Sequence, residues 1–172
     1  MITVIAGTNR PSSNTLKIAQ EYVTALAGLG LEAQLLSLDH LPHDMLVSDF
    51  YGKRSAAFQE ILERFIIPVQ KFVAVVPEYN GSYPGVFKLL VDAVHPEHFR
   101  GKKIALVGVG AGRGGNARGL DDLTGVFHYL RMHVFFDKLP ISRVRELVGA
   151  EGVKDETTKQ LLRAHAQGFA AY

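Results

Sequence analysis

Short apolar runs and helix-spaced apolar stripes alternate along the whole chain. The runs are Ile2–Ala6, Leu31–Leu36, Phe72–Val76, Ile104–Val109 and Val134–Phe136. Each is too uniformly apolar for a strand with one wet face, so the pattern predicts strands covered on both sides. Phe58, Ile61, Leu62, Phe65 and Ile66 keep helical spacing up to a stop at Pro68, and Leu120, Leu123, Phe127 and Leu130 trace a second stripe. A third helix is expected from Pro84 to just before Pro96. A last one is expected from near Asp155, turning Leu161, Leu162, His165 and Phe169 inward. Five such βα units require right-handed crossovers. The expected fold is α/β: a doubly wound, five-stranded parallel sheet with helices on both faces, in a single domain over residues 1–172. Ser37–Lys53 is the longest irregular stretch, and its Phe50 and Tyr51 suggest that it packs against something.

Composition narrows the class. Of the 172 residues, 47% are apolar and 21% charged, which is ordinary globular usage and excludes a disordered chain. A formal charge of +2 is too small to argue for nucleic acid or an anionic membrane as partner. With no cysteine, disulfides, thiol catalysis and cysteine-based zinc sites are excluded, and a reducing compartment fits. The longest apolar run is far short of a bilayer span, and the first residues read as a strand rather than a leader, so a soluble cytoplasmic protein is expected.

Doubly wound sheets bind ligands beyond the carboxyl ends of their strands, which directs attention to the loops after strands one, three and four. The first runs from Gly7 to Thr15. Hydroxyls at Thr8, Ser12, Ser13 and Thr15, the charge of Arg10 and a helix N-terminus suit a phosphate. The same residue types serve as a plain helix cap, and this loop alone leaves both readings open. The GxxxxGK[ST] loop of nucleoside triphosphate sites is absent. The second loop begins at Pro77 and leads into the helix at Pro84. Its exposed turn residues could face a planar ligand, and Glu78 is a possible general acid or base. Shaping of the turn and capping of helix three by Glu78 and Asn80 is the simpler reading, since no second carboxylate stands at a telling spacing. The third loop, Gly110–Gly115, matches GxGxxG, with Asp137 ending the following strand. It is either a dinucleotide fingerprint or a glycine loop that admits another flat ligand. The HxxH pairs His40/His43 and His95/His98 lack further ligands, so no metal site is expected. His165 lies on an apolar helical face and is expected to be a satisfied core residue.

Together the three loops resemble the NADPH-dependent FMN reductase family of flavodoxin-like proteins, which includes quinone, chromate and azo-dye reductases. Its first-loop motif is represented by Gly7, Arg10, Ser13 and Asn14, with Thr8 in place of Ser. Its second, P-E-Y-N-x-S-x-P-G-x-L-K-N, is matched by Pro77, Glu78, Tyr79, Asn80, Ser82, Pro84, Gly85 and Lys88, with Phe87 and Leu89 replacing the usual Leu and Asn. The resemblance implies the flavodoxin-like strand order 2-1-3-4-5. It also implies that Thr8, Arg10, Ser13, Asn14 and Thr15 bind the FMN phosphate. Pro77, Glu78, Tyr79, Asn80 and Gly81 would line the isoalloxazine, with Gly110, Ala111, Gly112 and Gly115 at its other edge. NADPH would reduce the flavin, and a small-molecule acceptor such as a flavin or quinone would then take its place, with no catalytic side chain. A homodimer or homotetramer is implied too, and the apolar circumference of helix three (Val86, Phe87, Leu89, Leu90, Val91, Val94) agrees. Two alternatives stand beside this: a flavodoxin-like electron-transfer protein, and a Rossmann-type nucleotide-binding module built on Gly110–Gly115 and Asp137. Near-neutral charge and the absence of Trp rank the first of these lower.

Overall fold

A computed structural model describes all 172 residues. Four long strands lie in the order β2 (Ala33–Ser37), β1 (Ile2–Ala6), β3 (Lys71–Pro77) and β4 (Lys103–Val109), all parallel. Their registers align Ile2 with both Ala33 and Lys71, and Lys71 with Lys103. The sheet is covered on both faces, which is why its strands lack polar alternation. Ile5, Phe72, Ala74, Val76, Ile104 and Leu106 point to one side, under α3 (Ala56–Ile61), α4 (Gly85–Ala93) and α5 (Ala117–Tyr129). Val4, Ala6, Val73, Val75, Ala105 and Val107 point to the other, under α1 (Asn14–Ala27) and α7 (Glu156–Ala171). Two short helices complete the chain, α2 (Met45–Ser48) and α6 (Val144–Leu147).

The fifth position of the sheet departs from the expected single strand. It is filled by two segments, β5 (His133–Val134) and β6 (Leu139–Ile141), both parallel to β4. Residues 135–138 stand opposite only 105–106, so the chain loops outward between the two pairings. Asp137 therefore lies in this interruption and does not end a strand. Its carbonyl accepts a hydrogen bond from His165 Nε2 at 2.8 Å, while Tyr22 Oη lies 2.8 Å from His165 Nδ1. His165 is buried and fully partnered, as its helical face predicts. Burial pushes its pKa below the usual histidine value.

Smaller differences have local causes. The stripe from Phe58 to Ile66 begins as α-helix and finishes in a π-helical turn, Leu62–Ile66, before Pro68. Pro84 is the N-cap of α4, not its first residue. Leu161 faces solvent, because only Leu162, His165 and Phe169 share the buried stripe of α7. In the irregular stretch Phe50 packs on the core, but Tyr51 is 84% exposed. Val86 and Leu89 of α4 are only half-buried.

Candidate functional site

The sheet's topology reverses between β1 and β3, and a cleft of about 260 Å³ opens beyond the carboxyl ends of β1, β3 and β4. Gly7 takes the chain out of β1 while pressed against β3. A Cβ there would sit 2.5 Å from Val76 Cγ1 and 3.0 Å from the Val75 carbonyl. Thr8 is buried, and its hydroxyl accepts from the Arg10 amide at 3.2 Å. The same oxygen lies 2.8 Å from Tyr79 Oη, tying the first loop to the second. Ser13 is the N-cap of α1 and accepts from the Leu16 amide at 3.1 Å, which leaves its hydroxyl hydrogen free to donate outward. The cap therefore leaves Ser13 able to serve a ligand as well. The first turn of α1 carries no acidic residue, and Arg10 forms no ion pair.

The second loop folds on its own backbone. Tyr79 and Ser82 exchange amide-to-carbonyl bonds of 2.9 and 3.1 Å around Asn80 (φ 52°) and Gly81 (φ 79°). Two consecutive positive φ values are the signature of a type I′ turn, which favours Asn-Gly. Asn80 therefore shapes this turn and does not cap α4, which has no side-chain cap bond. Glu78 is exposed, with its amide bonded to the Val109 carbonyl at 3.0 Å and its carboxylate in no ion pair.

Glycine in the third loop answers a packing demand. A Cβ on Gly108 would meet the Gly115 carbonyl at 2.2 Å, and one on Gly110 would meet Gly115 Cα at 2.9 Å. The loop thus folds back on the end of β4. Asn116, left-handed at φ 64°, bonds the Val76 and Pro77 carbonyls through Nδ2 at 3.1 and 3.0 Å and fastens the start of α5 to the end of β3.

Thr8, Arg10, Ser13, Asn14 and Thr15 form one wall of the cleft. Pro77, Glu78 and Tyr79 face them, and Ala111 contributes from the third loop. Asn80 and Gly81 stand outside the lining at the turn tip, Gly110 and Gly115 pack behind it, and Gly112 is exposed with open space around its Cβ position. Five lining residues come as additions to the expected set: Pro11, Ser12, Val109, Val144 and Arg145. The last two arrive because β6 pairs with β4 and delivers α6 to the cleft.

A phosphate-bearing planar group fits this arrangement. The acid-free loop, spare hydroxyl donors and unpaired Arg10 suit a dianion, and the flat backbone edge Pro77–Tyr79 faces them across the cleft. Residues 1–145 match the model of a family described as NADPH-dependent FMN reductase. The chain belongs to that family.

A curated relative, an NAD(P)H-dependent FMN reductase of Pseudomonas aeruginosa, is 29% identical over 96% of this chain and 90% of its own. Among solved structures, the flavoenzyme NAD(P)H:(acceptor) oxidoreductase FerB of Paracoccus denitrificans superposes with a TM-score of 0.79. It is 24% identical, over 99% of this chain and 95% of that one. A flavodoxin of Streptococcus pneumoniae shares the fold at a TM-score of 0.59 and 17% identity, over 99% of this chain and 96% of that one. This family member is an oxidoreductase that uses NAD(P)H and works through FMN. The flavodoxin-like order is the one observed, with β6 completing the fifth position.

Proposed function

We propose that this FMN reductase holds the FMN phosphate in the loop Thr8–Thr15 and lays the ring along Pro77–Tyr79. There it passes reducing equivalents from NADPH to a small oxidised acceptor such as a quinone or free flavin. The observation that supports it most is the acid-free first turn of α1 beside the unpaired Arg10, with the Pro77–Tyr79 segment lining the same cleft. Arg10 offsets phosphate charge, while the hydroxyls of Ser13 and Thr15 and the first amides of α1 supply donors. Thr8 and Tyr79 keep the two walls at a fixed separation through their hydroxyl contact. Bound there, FMN would supply the hydride chemistry that no side chain of the cleft provides. Glu78 is open to solvent and its carboxylate makes no ion pair, so no side chain is assigned a catalytic role.

We also propose a cytoplasmic, one-domain protein that works as a homodimer or homotetramer, without nucleic acid or membrane partners. No helix is long and apolar enough to cross a membrane. A groove between α4 and α5, lined by Val91, Val94 and Val126 and flanked by the exposed Tyr51 and Tyr129, is the apolar surface that supports association.

Fluorescence titration of the purified protein with FMN and with FAD tests the cofactor assignment. Tighter FMN binding is expected, because the first loop is shaped for a terminal monophosphate. Equal or tighter FAD binding would overturn it.

A further inference from the structure

Next to the cofactor cleft lies a second set of guanidinium groups, whose interpretation rests on the reading of that cleft. The segment Ile141–Val144 is stitched to the third loop through the backbone. Gly110 N donates to the Ile141 carbonyl at 2.9 Å, Val144 N to Gly110 at 3.0 Å and Arg143 N to Gly112 at 2.9 Å. Ser142 Oγ donates to the Arg113 carbonyl at 2.6 Å. These four bonds make one double loop that carries Arg113 on one strand and Arg143 on the other, both exposed. Two residues beyond Arg143, Arg145 enters the wall of the cofactor cleft.

None of the three arginines forms an ion pair or a side-chain hydrogen bond. No carboxylate of the fold pairs with them; Asp121 is engaged by Lys138, and Asp122 accepts from Ser82. Arg143 is also left-handed at φ 51°, a conformation that costs a side chain with a Cβ about 1–2 kcal/mol. Asn or Gly would relieve that cost, and strain of this kind collects at binding sites. The charge is thus concentrated, held by the backbone and without a partner in the fold.

The NADPH that this family uses carries a ribose 2′-phosphate that NADH lacks. Arg10 and the α1 amides are already committed to the cofactor's phosphate. We propose that Arg113 and Arg143, with Arg145 linking them to the cleft, receive the 2′-phosphate of NADPH and set the preference for NADPH over NADH. Guanidinium forks match a phosphate bidentately, and two of them on a rigid double loop lose little freedom on binding it.

The test is a double variant, Arg113→Ala with Arg143→Asn, the Asn chosen because it tolerates the left-handed backbone. Arg100→Ala, which breaks only a surface pair with Glu97, is the control. Isothermal calorimetry measures binding of 2′,5′-ADP and of 5′-AMP, and steady-state kinetics give KM for NADPH and NADH. The double variant is expected to lose at least tenfold in 2′,5′-ADP affinity and to raise KM for NADPH by as much. 5′-AMP binding and KM for NADH should move less than twofold. An equal loss for phosphorylated and unphosphorylated nucleotides, or no loss for either, would overturn the assignment. FMN titration of the parent protein reports separately on the cleft, since the calorimetry needs no turnover.

Discussion

At the edge where β3 and β4 begin, Lys71, Lys102 and Lys103 point their ammonium groups at chain ends that lack donors. Lys102 Nζ bonds the Ile66 and Ile67 carbonyls at 2.8 and 2.9 Å, where the π-helical turn finishes. Lys71 Nζ reaches the Ala170 carbonyl at 2.7 Å, and Lys103 the Tyr172 carbonyl, both at the end of α7. At the opposite edge, Arg10 and Arg145 line the cleft with the start of α1, Arg113 and Arg143 sit on the double loop that leads into it, and none of the four has an acceptor. Helix C-termini attract cations and N-termini repel them. The lysines therefore complete the fold, whereas the arginines add positive charge where the dipole of α1 already supplies it. The contrast teaches how to sort charges of one sign: those with an acceptor in the protein hold it together, and those without one stay free to meet a ligand.

Exchanging the roles is the sharpest way to break this comparison. Lys102→Met keeps the apolar stem and removes the donor from one buried and one part-buried carbonyl, so stability should fall by about 3 kcal/mol, within the range for charge-assisted bonds. FMN affinity should not change. Chemical denaturation and FMN titration of one preparation check both halves. Arg10→Ala should give the mirror image: FMN binding weaker by about 2 kcal/mol, with the unfolding midpoint of the FMN-free protein unmoved. A loss of stability there, with affinity intact, would make Arg10 a structural cation like the lysines.

A smaller effect comes from His165, which belongs to neither edge. Its pKa is depressed in the folded protein, so below about pH 6.5 the unfolded chain takes up a proton that the native state refuses. The native state is then favoured less as pH falls, with a slope no steeper than about 1.4 kcal/mol per pH unit for one group. His165→Gln should flatten the part of the stability decline between pH 7 and 5 that this residue causes, as thermal unfolding across that range would reveal. The smallest expected effect is at Asp137, whose carboxylate has no hydrogen-bonding partner. Asp137→Asn should leave FMN affinity and NADPH oxidation within about threefold, a shift under ~0.7 kcal/mol. A selective loss with NADH would revive the Rossmann reading of Gly110–Gly115.

The sheet was legible because burial on both faces writes each long strand as an apolar run, and the helices because their stripes end at Pro or begin at caps such as Ser13 and Asp155. The first two loops were legible because each residue type there has a local job. The double loop that carries Arg143 and Arg145 was not. Pro140 disguises β6, which it can occupy only because β6 lies at the edge of the sheet. The pairing of β6 with β4 is long-range and leaves no local signature. Asn116 escaped for a similar reason, since its two bonds go to carbonyls about forty residues earlier. In the glycine loop, sequence alone could not separate glycines needed for a ligand from glycines needed for a neighbouring backbone.

The interruption between β5 and β6 has a consequence for how the molecule is made. Its outward loop is anchored by His165 of α7, which the ribosome adds 28 residues after Asp137. Until α7 emerges, the Asp137 carbonyl has no donor from that helix and Phe135 lacks Phe169, whose ring centroid lies 5.7 Å away in the finished fold. The segment that carries Arg143 and Arg145 follows directly on this edge. During synthesis, then, the first four strands can pair early, while the arginine-bearing side of the cleft settles last.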